Sequence, residues 1–188
     1  MHICVYCSSS SAVAEGYFEA ARELGRLLGE RGHTLVYGGA NVGLMGDLAS
    51  EAKGAGARIV GVMPRKLAEH GLAYAGADEM RVTETMAERK AAMESLAEAF
   101  IAMPGGFGTL EELLQVLTLK QLGYLDAPIV LLNTAGIYEH LLAHWERLYG
   151  EHFAKAAYRS LYYVACDPIE ALDHVENAPK TALPQKWF

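Results

Sequence analysis

A chain of 188 residues, 52% hydrophobic and 21% charged, suits one globular domain; a domain of this size buries on the order of 70% of its unfolded surface. A formal net charge of −7, from 16 basic and 23 acidic residues with no basic run, argues against a nucleic-acid or membrane-surface binder. No apolar stretch approaches the ~20 residues of a membrane span. The chain enters a strand-like run at Met1 without the charged and apolar regions of a signal peptide, so a cytoplasmic protein is expected.

In chain order, the first predicted strand is His2–Ser8. Cys4 and Cys7 within it have CxxC spacing, but redox pairs of that kind open a helix, so these are read as buried thiols. A helix over Tyr17–Arg31 and a strand over Thr34–Tyr37 lead to a first glycine cluster, Gly38-Gly39-Ala40-Asn41-Val42-Gly43-Leu44-Met45-Gly46. The cluster sits between that strand and a predicted helix, Leu44–Gly54. It is similar to a dinucleotide-binding turn but differently spaced, and tight turns need glycine in any case.

Strands over Arg58–Met63 and Met80–Val82 precede a helix over Glu84–Ala97. On that helix Met86, Met93 and Leu96 form an apolar stripe, and Arg89 and Lys90 point with it. Two cations facing inward are costly unless they meet anions. They either snorkel and pair with acids of their own helix, such as Glu88 and Glu94, or meet a phosphate or a catalytic carboxylate.

The most informative stretch follows the apolar run Ala99–Met103: Pro104-Gly105-Gly106-Phe107-Gly108-Thr109-Leu110-Glu111-Glu112, opening a helix over Thr109–Leu122. Three glycines at a strand-to-helix turn let backbone N–H groups approach a ligand. The helix N-terminus adds unsatisfied donors and partial positive charge, which suits a phosphate. Glu111 and Thr118 share a helix face, and Glu112 is turned by roughly 100° from Glu111. Dipole pairing alone would need only one of the two acids and no glycine loop.

The remaining elements are a strand over Pro128–Asn133, a helix over Ile137–Tyr149, a strand over Leu161–Ala165 and a helix over Pro168–Val175. His140 and His144 are four apart, but no HExxH pattern accompanies them, and no metal site is expected. A domain over 1–177 then gives way to an irregular tail, 178–188, in which Trp187 and Phe188 are expected to dock on a surface. Apolar strands alternating with helices predict an α/β fold: a single Rossmann-like, doubly wound parallel sheet with ligands at the strand C-termini.

The two glycine clusters, together with Met86-Ala87-Glu88-Arg89-Lys90, resemble the Lonely Guy (LOG) family over nearly the whole chain, roughly Ile3 to Val175. Its members are cytokinin riboside 5′-monophosphate phosphoribohydrolases, many of them formerly labelled possible lysine decarboxylases. The resemblance implies a homodimer with active sites at the subunit interface. It also implies hydrolysis of the N-glycosidic bond of a purine nucleoside 5′-monophosphate, cytokinin-type or AMP, without a cofactor. Arg89 and Glu112 correspond to the catalytic pair. Gly38, Gly39, Gly43, Met45, Lys90, the segment Gly105, Gly106, Phe107, Gly108, Thr109, Leu110 and Glu111, and Thr118 correspond to substrate contacts. Ser8, Ala40 and Ala87 depart from the residues common in the family, and bear on base specificity more than on chemistry. The alternatives are a nucleotide-binding or carrier protein without turnover, and a pyridoxal-phosphate lysine decarboxylase using Lys90.

Overall fold

The structure, a computed structural model, describes residues 1–179, so the expected docking of Trp187 and Phe188 lies outside the described residues. Seven parallel strands form one sheet: β1 (His2–Tyr6), β2 (Thr34–Tyr37), β3 (Arg58–Pro64), β4 (Glu79–Thr83), β5 (Ala99–Ala102), β6 (Ile129–Leu132) and β7 (Tyr163–Ala165). Their order across the sheet is β4-β3-β2-β1-β5-β6-β7. The parallel, doubly wound arrangement expected from the apolar strands is the one observed.

Strand alternation decides which helices cover which face. In β1, Ile3 and Val5 join one core with α1 (Glu15–Glu30), α2 (Gly43–Gly54) and α7 (Pro168–Asn177). Cys4 and Tyr6 join the other, beneath α4 (Met86–Leu96), α5 (Phe107–Gln121) and α6 (Glu139–Gly150). The same alternation splits β5, with Ile101 in the first core and Phe100 in the second. A two-sided burial of this kind needs strands apolar along their length, as β5 and β6 are throughout and β1 is after His2.

Several boundaries differ from expectation. A one-turn helix, α3 (Arg65–Ala68), follows β3 with no residue of its own buried, so no apolar period marks it. The run expected to begin a strand at Leu161 instead closes a 3₁₀ segment, Ala156–Leu161, and β7 starts at Tyr163. The helix expected from Ile137 starts at Glu139, because a 3₁₀ turn, Thr134–Gly136, with Ala135 at φ 53°, intervenes. β1 ends at Tyr6, which frees Cys7 and Ser8 for the loop beyond it.

Candidate active site

β1 and β5 are neighbours, yet their following connections run to opposite sides of the sheet, which opens a crevice at their C-terminal ends. Main-chain bonds lock the two loops that leave these strands. Met103 N–H donates to the Tyr6 carbonyl at 2.8 Å and Ser8 N–H to the Pro104 carbonyl at 3.2 Å. The buried Tyr138 hydroxyl holds the Met103 carbonyl at 2.6 Å. A cavity of about 440 Å³ lies here, walled by Ser8–Ser10, Met45, Arg89 and the start of α5.

Arg89 is built into this cavity from α4. Thr85 caps the helix by accepting from Glu88 N–H, and the Glu88 carboxylate reaches back to Glu84 N–H. One turn in, Arg89 is 6% exposed. Its Nε donates to the Val62 carbonyl at 3.0 Å and its Nη1 to Glu112 Oε1 at 2.5 Å. Its Nη2 lies against Gly38, where a Cβ would come within 2.5 Å of it. Three fixed contacts leave the guanidinium one orientation.

Glu112 is equally buried, at 6% exposure. Burial pushes its carboxyl above the usual range, while Arg89 opposes that rise by charge and hydrogen bond. The carboxylate is therefore desolvated and held by a single cation. Beside the pair, Lys90 contacts Glu111, which is exposed. Both cations of α4 thus meet acids of α5, not the acids of their own helix. Inward-facing cations on one helix are satisfied by consecutive acids on the next.

The start of α5 lines the same cavity. Gly106 is its N-cap and supplies no side-chain cap, so the first-turn N–H groups remain open to an anion. Gly106, Phe107, Gly108 and Thr109 all line the cavity, and Phe107 is 93% exposed at its rim. Thr109 is buried, with its side chain against Gly105.

The glycines of the first cluster have close neighbours of their own. Gly38 seats Arg89. The Gly39 carbonyl accepts from Tyr74 N–H at 2.9 Å. Gly43 has φ 59°, and a Cβ there would stand 2.4 Å from the Ser9 backbone. The Met45 amide is spent on the Ser8 carbonyl at 3.3 Å. Of this cluster only Met45 lines the cavity. The glycines bring two loops and one arginine into close contact.

The cavity therefore gathers Met45, Arg89, Gly106, Phe107, Gly108, Thr109, Glu111 and Glu112. Gly38, Gly39, Gly43 and Lys90 are not among the residues that line it. Gly105 lines a neighbouring, more apolar cavity of about 300 Å³ with Val13, Tyr17 and Ile137. Leu110 packs into the sheet core. Thr118 is exposed about three turns along α5, its hydroxyl donating to the Leu114 carbonyl at 2.7 Å, in a separate groove beside Trp145 and Tyr149. Sequence reasoning missed Ser9, Ser10, Cys7, Leu67 and Met86 as lining residues. The serine run after the first strand was the available signal for the first two.

Other candidates resolve simply. Cys4 and Cys7 are buried in opposite cores, and burial raises both thiols. They are ordinary buried thiols facing away from each other. His140 and His144 are both exposed. Among the described residues no three His, Cys, Asp or Glu side chains gather as a metal site, and no helix is long and apolar enough to cross a membrane.

Comparison with known proteins gives a consistent result. The family model described as "Possible lysine decarboxylase" matches residues 45–175. A probable cytokinin riboside 5′-monophosphate phosphoribohydrolase of Oryza sativa subsp. japonica is 40% identical over 188 residues, covering 96% of this chain and 84% of the relative. A cytokinin riboside 5′-monophosphate phosphoribohydrolase of Arabidopsis thaliana is 40% identical over 175 residues, covering 93% and 82%. Among solved structures, a molybdenum cofactor binding protein from Rippkaea orientalis superposes with a TM-score of 0.72 at 23% identity, over 93% of this chain and 94% of that one. That likeness concerns the fold. The molybdenum cofactor carrier protein of Chlamydomonas reinhardtii gives 0.70 at 26%, over the same shares.

Proposed function

The chain belongs to the Lonely Guy (LOG) family, and from that premise we propose that it hydrolyses the N-glycosidic bond of a purine nucleoside 5′-monophosphate. The substrate is a cytokinin riboside 5′-monophosphate or AMP, and the products are the free base and ribose 5-phosphate. One observation carries the reading: the buried Arg89–Glu112 pair and an uncapped helix N-terminus line a single cavity.

The 5′-phosphate rests on the first-turn N–H groups of α5. As the C1′–N bond lengthens, the base leaves with the bonding pair and positive charge grows on the ribose. Glu112 stabilises that charge through a low-dielectric medium and takes a proton from the attacking water. The water oxygen bonds to C1′, and the proton passes to the departing base. Arg89 keeps Glu112 ionised and aimed.

The carrier reading has the likeness to molybdenum cofactor binding proteins on its side. A carrier, however, has no use for a desolvated carboxylate held against a guanidinium at the cavity wall. Incubation with a panel of nucleoside 5′-monophosphates and the matching nucleosides decides the matter. Release of free base and ribose 5-phosphate from at least one nucleotide is expected, with poor use of its nucleoside. Binding without release establishes the carrier instead.

We further propose that two copies pair through the faces of α4 and α5. Met86, Leu114 and Leu122 are exposed there at 50%, 45% and 38%. Thr118 lies on the same exposed side of α5 as Leu114 and Leu122.

A further inference from the structure

α5 ends at the other end of the sheet, where β6 begins, beside a cavity of about 220 Å³. Lys120, in the last turn of α5, lines it and is 7% exposed. Its Nζ donates to the Ala127 carbonyl at 2.8 Å. That is one partner for three donors, and among the described residues Lys120 makes no ion pair. A lysine that merely complements the helix dipole has no need of burial. A buried ammonium with one neutral partner is costly, and burial accordingly pulls Lys120 below its ordinary range.

The surroundings define what would satisfy it. Asp126 lines the same cavity but is exposed, so water screens its charge far more than that of Lys120. The balance favours an anion. His174 is fixed at the wall by stacking on Tyr163, with centroids 4.0 Å apart and planes 7° apart, and offers a ring nitrogen. Burial, with Lys120 nearby, holds His174 below its usual pKa, so it brings no full charge at neutral pH. One ammonium and one neutral imidazole suit a carboxylate better than a phosphate dianion, which calls for more donors. Ile129, Leu161 and Tyr162 supply apolar walls. A cavity of roughly 150 Å³ holds a benzene ring, so this one has room for a ring and a carboxylate.

We propose that this cavity binds a small carboxylate with an apolar, ring-sized body, its carboxylate on Lys120 and its body against Ile129, Leu161 and Tyr162. The site is separate from Arg89 and Glu112 and does not depend on the reaction proposed for them. Benzoate is the probe and benzamide its neutral counterpart, each titrated into the ¹⁵N-labelled full chain and followed by amide chemical shifts. Benzoate should give saturable shifts at Ala127, Tyr162 and His174. Benzamide should bind weaker by roughly 10- to 100-fold, the worth of a hydrogen bond to a charged group. Lys120→Met should lose the benzoate response by a similar factor while its amide spectrum stays dispersed. Should that variant unfold, the benzamide comparison on the unaltered chain still decides. Equal binding of the two ligands, undiminished binding to Lys120→Met, no saturable shift, or shifts confined to Gly106–Thr109 would each overturn the proposal.

Discussion

Glu112 Oε1 accepts from Arg89 Nη1 at 2.5 Å, across the gap between the first turn of α4 and the second turn of α5, and both residues are 6% exposed. Neither group reaches the other through its own helix. The pairing exists because the strands beneath bring two helix starts together at one crevice. Glu112→Gln keeps the size of the side chain and an oxygen that accepts from Arg89, and removes the charge. The uncapped N-terminus of α5 is a backbone feature and survives. On the best nucleotide of the panel, kcat should fall by a factor on the order of 10²–10⁴ with KM little changed. Near-normal kcat in a folded variant would show that another acid does the work.

The pH dependence follows from the same pair. Burial raises the Glu112 carboxyl above 4.5, its ordinary value, and Arg89 restrains the rise. The proposed role needs the ionised form. Activity should therefore be full above the raised pKa and fall as pH drops through it, with an acid limb of kcat/KM centred above 4.5. Arg89→Met removes the restraining charge, so the limb of the residual activity should move to still higher pH. A limb that stays in place in Arg89→Met would mean that it reports a different group.

Gly38 gives a prediction that its sequence context does not. An added Cβ would stand 2.5 Å from Arg89 Nη2, and that guanidinium is already pinned by Val62 and Glu112. The far end of a flexible side chain is what must move, so Gly38→Ala should fold. The displaced arginine should nevertheless cost activity by a factor on the order of 10². Gly106 has open space at the same position, so Gly106→Ala meets no such clash. Comparing thermal unfolding with kcat/KM for Gly38→Ala separates loss of seating from loss of fold.

Much of the fold was legible because β1, β5 and β6 are apolar at nearly every position, which only a sheet covered on both faces explains. The start of α5 was legible for a similar reason: glycines, a helix start and two acids fall within nine residues, Pro104 to Glu112. Gly38, Gly39 and Gly43 were not readable in the same way. Close approach of backbone to phosphate and close approach of backbone to an arginine or a neighbouring loop both require the missing Cβ. Spacing alone does not distinguish these. The partners of Arg89 and Lys90 were hidden too, since the acids that meet them lie more than twenty residues away on another helix. Lys120 shares the buried face of Leu113, Val116 and Leu117, but a lysine in a last helical turn ordinarily snorkels to water, so spacing alone does not announce its burial.

The expected dimer tests the exposed apolar side of α5. Leu114 is 45% exposed and Leu122 38%. Replacing both with Lys should leave the sheet and its cores untouched and convert a dimer into a monomer in light scattering. If the site is completed by the partner, kcat/KM should fall with the dimer fraction. A fully active monomer of the unaltered chain would refute the pairing.

The last prediction concerns Lys90, the lysine that a decarboxylase reading would use. A Schiff-base lysine must present a neutral amine to an aldehyde. Lys90 is instead engaged with the Glu111 carboxylate. It does not line the cavity, while its neighbour Arg89 does. Purified protein mixed with pyridoxal phosphate should therefore show no internal aldimine absorbance, and lysine should yield no cadaverine. Lys90→Met should lower affinity for a nucleoside 5′-monophosphate by freeing the Glu111 charge at the cavity rim, raising KM more than it lowers kcat. A borohydride-reducible adduct on Lys90, found by mass spectrometry, would reverse this assignment.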